Sequence, residues 1–137
     1  MAYHKNDGAI GTLRLVLHSK IGFPVEKYFN LIDPGVERST IAEPTRLTIV
    51  RKYRGKKRWV MFGLGAIAYR YTRQNDIRYW YATLPEKLAN SFKRFDLNFV
   101  KLSEQPPTAY NIQNRKEIKG YFEQKKLEPF ILDIETI

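Results

Sequence analysis

Hydrophobic and polar positions alternate over residues 9–19, with Leu13, Leu15 and Leu17 on one side and Arg14 on the other. A period of two is that of a half-buried strand. Residues 20–24 read as a turn, and Pro24 stands where a short helix over 25–32 would begin. Asp33-Pro34-Gly35 closes that helix. Residues 41–50 are rich in β-branched side chains and predict a second strand, with Pro44 near its start. Residues 59–74 are apolar on almost every side, which predicts a buried or semi-buried helix. A strand over 77–83, an amphipathic helix over 85–95 and a strand over 97–102 follow. The tail, 114–137, mixes a charged segment with the apolar run Leu127 to Leu132 and shows no clear period. From Ile41 onward the order is strand, loop, helix, strand, helix, strand. That order predicts a mixed α/β layer whose first strand–helix–strand unit is a right-handed parallel crossover.

A chain of 137 residues with 43% hydrophobic and 14% aromatic positions has enough apolar matter for one domain with a real core. It contains no cysteine, which excludes disulfide scaffolds, thiolate zinc sites and cysteine nucleophiles. The longest apolar stretch, from Trp59 to Tyr69, is about half the roughly 20 residues of a membrane helix. The first residues contain no apolar signal region. These features predict a soluble, cytoplasmic protein. His4 and His18 are too isolated for a metal site, and the carboxylates show no paired spacing of the kind used by metals or glycosidases.

Charge is distributed unevenly. The formal net charge is +10, and residues 51–101 hold 13 Lys and Arg against 3 Asp and Glu, so the rest of the chain is neutral. Six of those cations lie within Arg51-Lys-Tyr-Arg-Gly-Lys-Lys-Arg58. A strand that runs into a basic, glycine-containing loop and then a helix outlines a phosphate site. The first N–H groups of the helix lack internal partners, and its dipole favours an anion. Gly55 permits close backbone approach, while Arg51, Lys52, Arg54, Lys56 and Lys57 supply charge. The spacing is neither that of a Walker loop nor that of a dinucleotide fingerprint.

Several short motifs occur in a telling order. Gly11-Thr-Leu-Arg-Leu15 is followed by Ala42-Glu-Pro-Thr-Arg-Leu47 and then by Arg51-Lys-Tyr-Arg-Gly55. The series resembles the middle of the GNAT-like acyltransferases related to acyl-homoserine-lactone synthases, in which a G-x-x-R-L strand precedes an E-x-x-R-[LF] strand. Downstream, Ile77-Arg-Tyr-Trp-Tyr-Ala82, Leu84-Pro-Glu-Lys-Leu88 and Phe92-Lys-Arg-Phe-Asp-Leu-Asn-Phe99 resemble the N-acyl amino acid synthase branch. The resemblance implies a GNAT-like fold shortened at its N-terminus, in which two parallel strands, 41–50 and 77–83, splay to admit a phosphopantetheine arm. It also implies acyl transfer from acyl carrier protein or coenzyme A to the amine of a small acceptor, with no permanently bound cofactor. An oligomer or separate segment would then complete the site. Acyl carrier proteins are acidic, and the basic loop suits such a partner.

On the matching positions, Glu43 would bind or deprotonate the attacking amine, and Arg14 and Arg46 would hold the acceptor's carboxylate. The plainer reading of Glu43 is an ion pair with Arg14 or Arg46. In a regular strand Glu43 and Arg46 point to opposite faces, so joint action needs a bulge at Pro44. Trp59, Phe62, Ile67, Trp80 and Phe92 are expected in the core, some of them lining an acyl tunnel. Two readings compete. Tyr69, Tyr71, Tyr79, Trp80 and Tyr81 beside a basic region would suit single-stranded nucleic acid, although no RNP, KH or zinc-finger signature accompanies them. Alternatively, the chain is an acyltransferase-like module that binds without catalysing.

Overall fold

A computed structural model describes residues 1–55 and 58–137. Among these, one mixed sheet contains β1 (Ala2–His4), β2 (Gly8–Leu17), β3 (Ile41–Ile49), β4 (Tyr79–Pro85), β5 (Val100–Lys101) and β6 (Leu127–Asp133). The strands lie in the order β1-β2-β3-β4-β6-β5. The helices are α1 (Val25–Tyr28), α2 (Trp59–Gln74), α3 (Glu86–Phe92), α4 (Ala109–Glu117) and α5 (Lys119–Lys125). Only the β3–β4 pair is parallel, and α2 forms its crossover. No described helix is long and apolar enough to cross a membrane.

The two sheet faces differ. On one, Phe23, Val25 and Phe29 from α1 and its flanks bury against Ile41, Tyr81 and Leu102. The buried Asn111 amide holds α4 to this layer by donating to the carbonyls of Glu26 and Lys27 at 3.1 and 3.0 Å. On the other face α2 crosses β2 and β3. Its close approach explains Gly11: an added Cβ would meet Val60 Cγ1 at 2.6 Å.

Several boundaries differ from the sequence expectation. Helix α1 ends after one turn because Phe29 turns extended and the following chain pairs with residues 103–105; Ile32 N–H donates to the Ser103 carbonyl at 2.9 Å. Strand β5 keeps only two residues. Asp96 takes a left-handed φ of 59° and Leu97 N–H returns to the Phe92 carbonyl, which consumes the start of the expected strand. Helix α2 buries one stripe, Leu64, Ala68 and Thr72. Trp59 and Ile67 are 73% and 66% exposed and Phe62 is also exposed, so these three are not core, while Trp80 and Phe92 are half-buried. The tail supplies β6, a central strand. Pro129 sits inside it, and its carbonyl accepts Leu102 N–H at 2.9 Å.

Candidate active site

Parallel pairing between β3 and β4 consists of Ile41 with Tyr79 and Ala42 with Trp80. Beyond Ala42 and Trp80 the strands separate, although each continues for several residues held by its other neighbour. Pro44 stands on the edge this opens, where a missing N–H is tolerated. The bulge lies elsewhere than at Pro44, which pairs in register with Leu15. Thr12 pairs with Thr48 and Arg14 with Thr45, so Arg46 and Leu47 together oppose Leu13. Arg46 takes a φ of 53°. One extra residue reverses side-chain parity. The bulge therefore turns Leu47 toward α2 instead of α1.

A cavity of about 380 Å³ occupies the gap on the α2 face. Leu13, Pro44 and Leu47 form one wall, Trp80, Ala82 and Leu84 another, and Met61, Phe62, Gly65, Ala66 and Tyr69 of α2 the roof; Phe92, Leu97 and Phe99 close one side. The lining is almost wholly hydrocarbon and aromatic. Such a space suits an apolar chain.

Glu43 follows Ala42 and faces the opposite side. It is 2% exposed, and its Oε2 accepts the Val25 N–H, the first of α1, at 3.0 Å. That bond satisfies a helix N–H that has no intrahelical partner. Burial, opposed by the Val25 N–H and reinforced by Glu26, pushes the carboxyl up to about 7. Among the described residues Glu43 forms no ion pair with Arg14 or Arg46, both of which are exposed and line neither the apolar cavity nor the polar pocket described below.

The basic segment begins with a 3-10 turn, Arg51–Tyr53. Lys52 pairs with Asp7 at 3.0 Å, Tyr53 donates to the same carboxylate, and Arg54 Nε donates to the Ile49 carbonyl at 2.6 Å. Arg51 is exposed, and Gly55 has a φ of 97° that favours glycine. Lys56 and Lys57 lie outside the described residues. Arg54, Gly55 and Arg58 line a second pocket of about 230 Å³, which shares Met61 and Phe92 with the apolar cavity. Cations thus stand at one end of the hydrocarbon space.

A third pocket, missed from sequence, lies on the α1 face. It measures about 140 Å³ and is lined by Glu26, Asp33, Arg38, Ile41, Val36 and Tyr81 among others. Arg38 holds Glu26 through both carboxylate oxygens, at 2.6 and 3.0 Å. Tyr81 lines this pocket and the apolar cavity alike. Burial pushes its hydroxyl up to about 12, so it is a donor at neutral pH. At 1% exposure its ring is unavailable for stacking on a base, and Tyr69, Tyr79 and Trp80 are half-buried. The sequence signals for this pocket were isolated charges in a loop, which no spacing rule joins.

A mixed sheet with one splayed parallel pair over an apolar cavity is a GNAT-like acyltransferase fold, and solved structures agree. TofI, in a ternary complex with an inhibitor and MTA, matches at 13% identity and a TM-score of 0.60, covering 97% of this chain and 61% of TofI. The AHL synthase LasI matches at 14% identity and 0.56, covering 96% and 61%. Rv2747 from Mycobacterium tuberculosis, in complex with CoA and NLQ, matches at 12% identity and 0.53, covering 96% and 73%. A comparison with curated proteins gives no match. The chain belongs to the N-acyl amino acid synthase FeeM family, whose profile matches residues 1–111. It spans about three-fifths of the length of TofI and LasI.

Proposed function

We propose that the chain transfers an acyl group from a phosphopantetheine thioester, carried by acyl carrier protein or coenzyme A, to the amine of an amino acid or similar small molecule. The observation that carries this reading is the separation of β3 and β4 beyond Ala42 and Trp80 over an apolar cavity. The acyl chain occupies the cavity, and the arm lies between the strands. The phosphate end meets the basic loop, where Arg51, Lys52, Arg54, Gly55, Lys56 and Lys57 steer an acidic carrier protein and pair with its anion. The Rv2747 complex with CoA supports a donor of this kind.

In the reaction the amine nitrogen bonds to the thioester carbonyl carbon and the carbon–sulfur bond breaks. The sulfur leaves as thiolate and takes up a proton. The amine must shed its proton to attack, and a carboxyl near 7 is suited to take it. Glu43 is that base. Arg14 and Arg46, assigned to the acceptor's carboxylate by sequence, lie apart from both cavities, and a different cation is favoured below. Proton relay by Glu43 also fits the carbonyl's position between the faces, since Tyr81, its neighbour across the gap, borders both.

Mass spectrometry of lipids from cells overproducing the chain tests the reading. New N-acyl amino acids are expected. Their absence, with the purified protein folded and inert toward acyl carrier protein and acyl-CoA thioesters, overturns it.

A further inference from the structure

We infer that the pocket formed by Glu26, Asp33, Arg38 and Tyr81 is the acceptor site, and that it takes a small zwitterionic α-amino acid. The inference rests on the acyl-transfer reading and adds the acceptor's place and class.

The pocket joins opposite charges in a small space. Asp33 uses Oδ1 to accept Gly35 N–H at 2.8 Å, while its second oxygen has no partner among the described residues and is available to an ammonium group. Arg38 spends two of its donors on Glu26 and retains others of the guanidinium fork for a carboxylate. Glu26 and Asp33 against Arg38 make the pocket net negative within a chain of net charge +10. An anion alone is therefore disfavoured, and an ammonium beside a carboxylate balances the set.

A second observation is independent of those charges. The Tyr81 side chain is 1% exposed, and its hydroxyl has no hydrogen-bond partner among the described residues. Buried polar groups are usually satisfied, so an orphan hydroxyl bordering a pocket points to a ligand. Tyr81 also borders the apolar cavity, so a molecule held here lies across the strand gap from the acyl donor. The volume of about 140 Å³ has room for about five non-hydrogen atoms at roughly 30 Å³ each. That is the size of glycine or alanine and smaller than an aromatic amino acid.

Amide NMR titration of the whole chain tests the assignment. L-alanine is expected to shift resonances between Asp33 and Ile41, and Asp33→Asn, Arg38→Gln and Tyr81→Phe should each weaken it about tenfold, as for loss of one charged or buried hydrogen bond. Acetate, methylamine and L-phenylalanine should bind more weakly than alanine. An acyl-pantetheine thioester, titrated in parallel, should shift Met61 to Tyr69 equally in wild type and variants. If the thioester binds and alanine does not, or binds the three folded variants as tightly, the acceptor site is overturned and the acyl-transfer reading stands. Equal binding of phenylalanine overturns the size limit. Alanine binding without thioester binding upholds the amino-acid site and removes the acyl-transfer reading.

Discussion

Ala42 and Trp80 are the last residues to pair across β3 and β4, and their successors, Glu43 and Tyr81, turn away from the apolar cavity toward α1. Pro44 and Ala82, one position further, turn back into it. The strand alternation thus assigns hydrocarbon to one face and titratable groups to the other. Each prediction below separates one of these features from its neighbours.

Gly65 lines the cavity roof within α2, and a Cβ added there meets nothing within 4 Å. Gly65→Leu should stabilise the helix by about 0.5–1 kcal/mol, since glycine is a poor helix residue. The leucine would fill part of the acyl space. A higher melting temperature with selective loss of long-chain donors is the expected pair of results, read by calorimetry and turnover.

Glu43→Gln keeps an oxygen for the Val25 N–H and removes the charge. The folded carboxyl titrates near 7, above its ordinary 4.5. Between those values the native state holds more protons than the unfolded one, so wild-type stability falls as pH rises through the window. The full effect is about 3 kcal/mol at roughly 1.4 kcal/mol per pH unit. The variant should match wild type near pH 4 and exceed it near pH 8 in urea unfolding. Its acyl transfer should drop by about 10²–10⁴-fold, as for loss of a general base.

Gly11→Ala should cost about 1–3 kcal/mol, because the new methyl collides with Val60 and the α2–β2 contact must open. Restoration by Val60→Ala in the double variant would assign the loss to this contact. An additive result in chemical denaturation would argue otherwise.

Arg46 combines a cation with left-handed backbone. Arg46→Gly should stabilise by up to about 1 kcal/mol, and Arg46→Val should destabilise by at least as much. Turnover that survives Arg46→Gly would leave the residue a purely geometric role: setting the bulge that aims Leu47 into the cavity.

Lys56, Lys57 and Arg58 reversed to Glu should slow association with acyl carrier protein, most at low salt. The Debye length is about 30 Å at 0.01 M and about 8 Å at 0.15 M. Surface plasmon resonance at both ionic strengths gives the comparison; equal on-rates for variant and wild type would remove the loop from donor recognition.

Much of the fold was legible because its signals are local. The strand over 41–50, the helix over 59–74 and the strand over 77–83 follow from β-branched runs and apolar length, and their succession implies a parallel crossover whatever lies around them. The motif order placed Glu43 on its strand and the cations in their loop. The β6 strand was not legible: Leu127 to Leu132 is apolar, but Pro129 argues against a central strand until its neighbours are known.

By itself the sequence determined composition, charge placement, the crossover and the motif positions, each of which depends on residues near one another in the chain. Tertiary structure alone decided where β3 leaves β4, that the bulge lies at Arg46 and not Pro44, and that α2 buries one stripe while Trp59 and Ile67 face outward. It also assembled Glu26, Asp33 and Arg38 around Tyr81, four residues from three separate segments. The reason is physical. Periodicity reports which side of an element is apolar, whereas register and pocket depend on what the rest of the chain packs against that side.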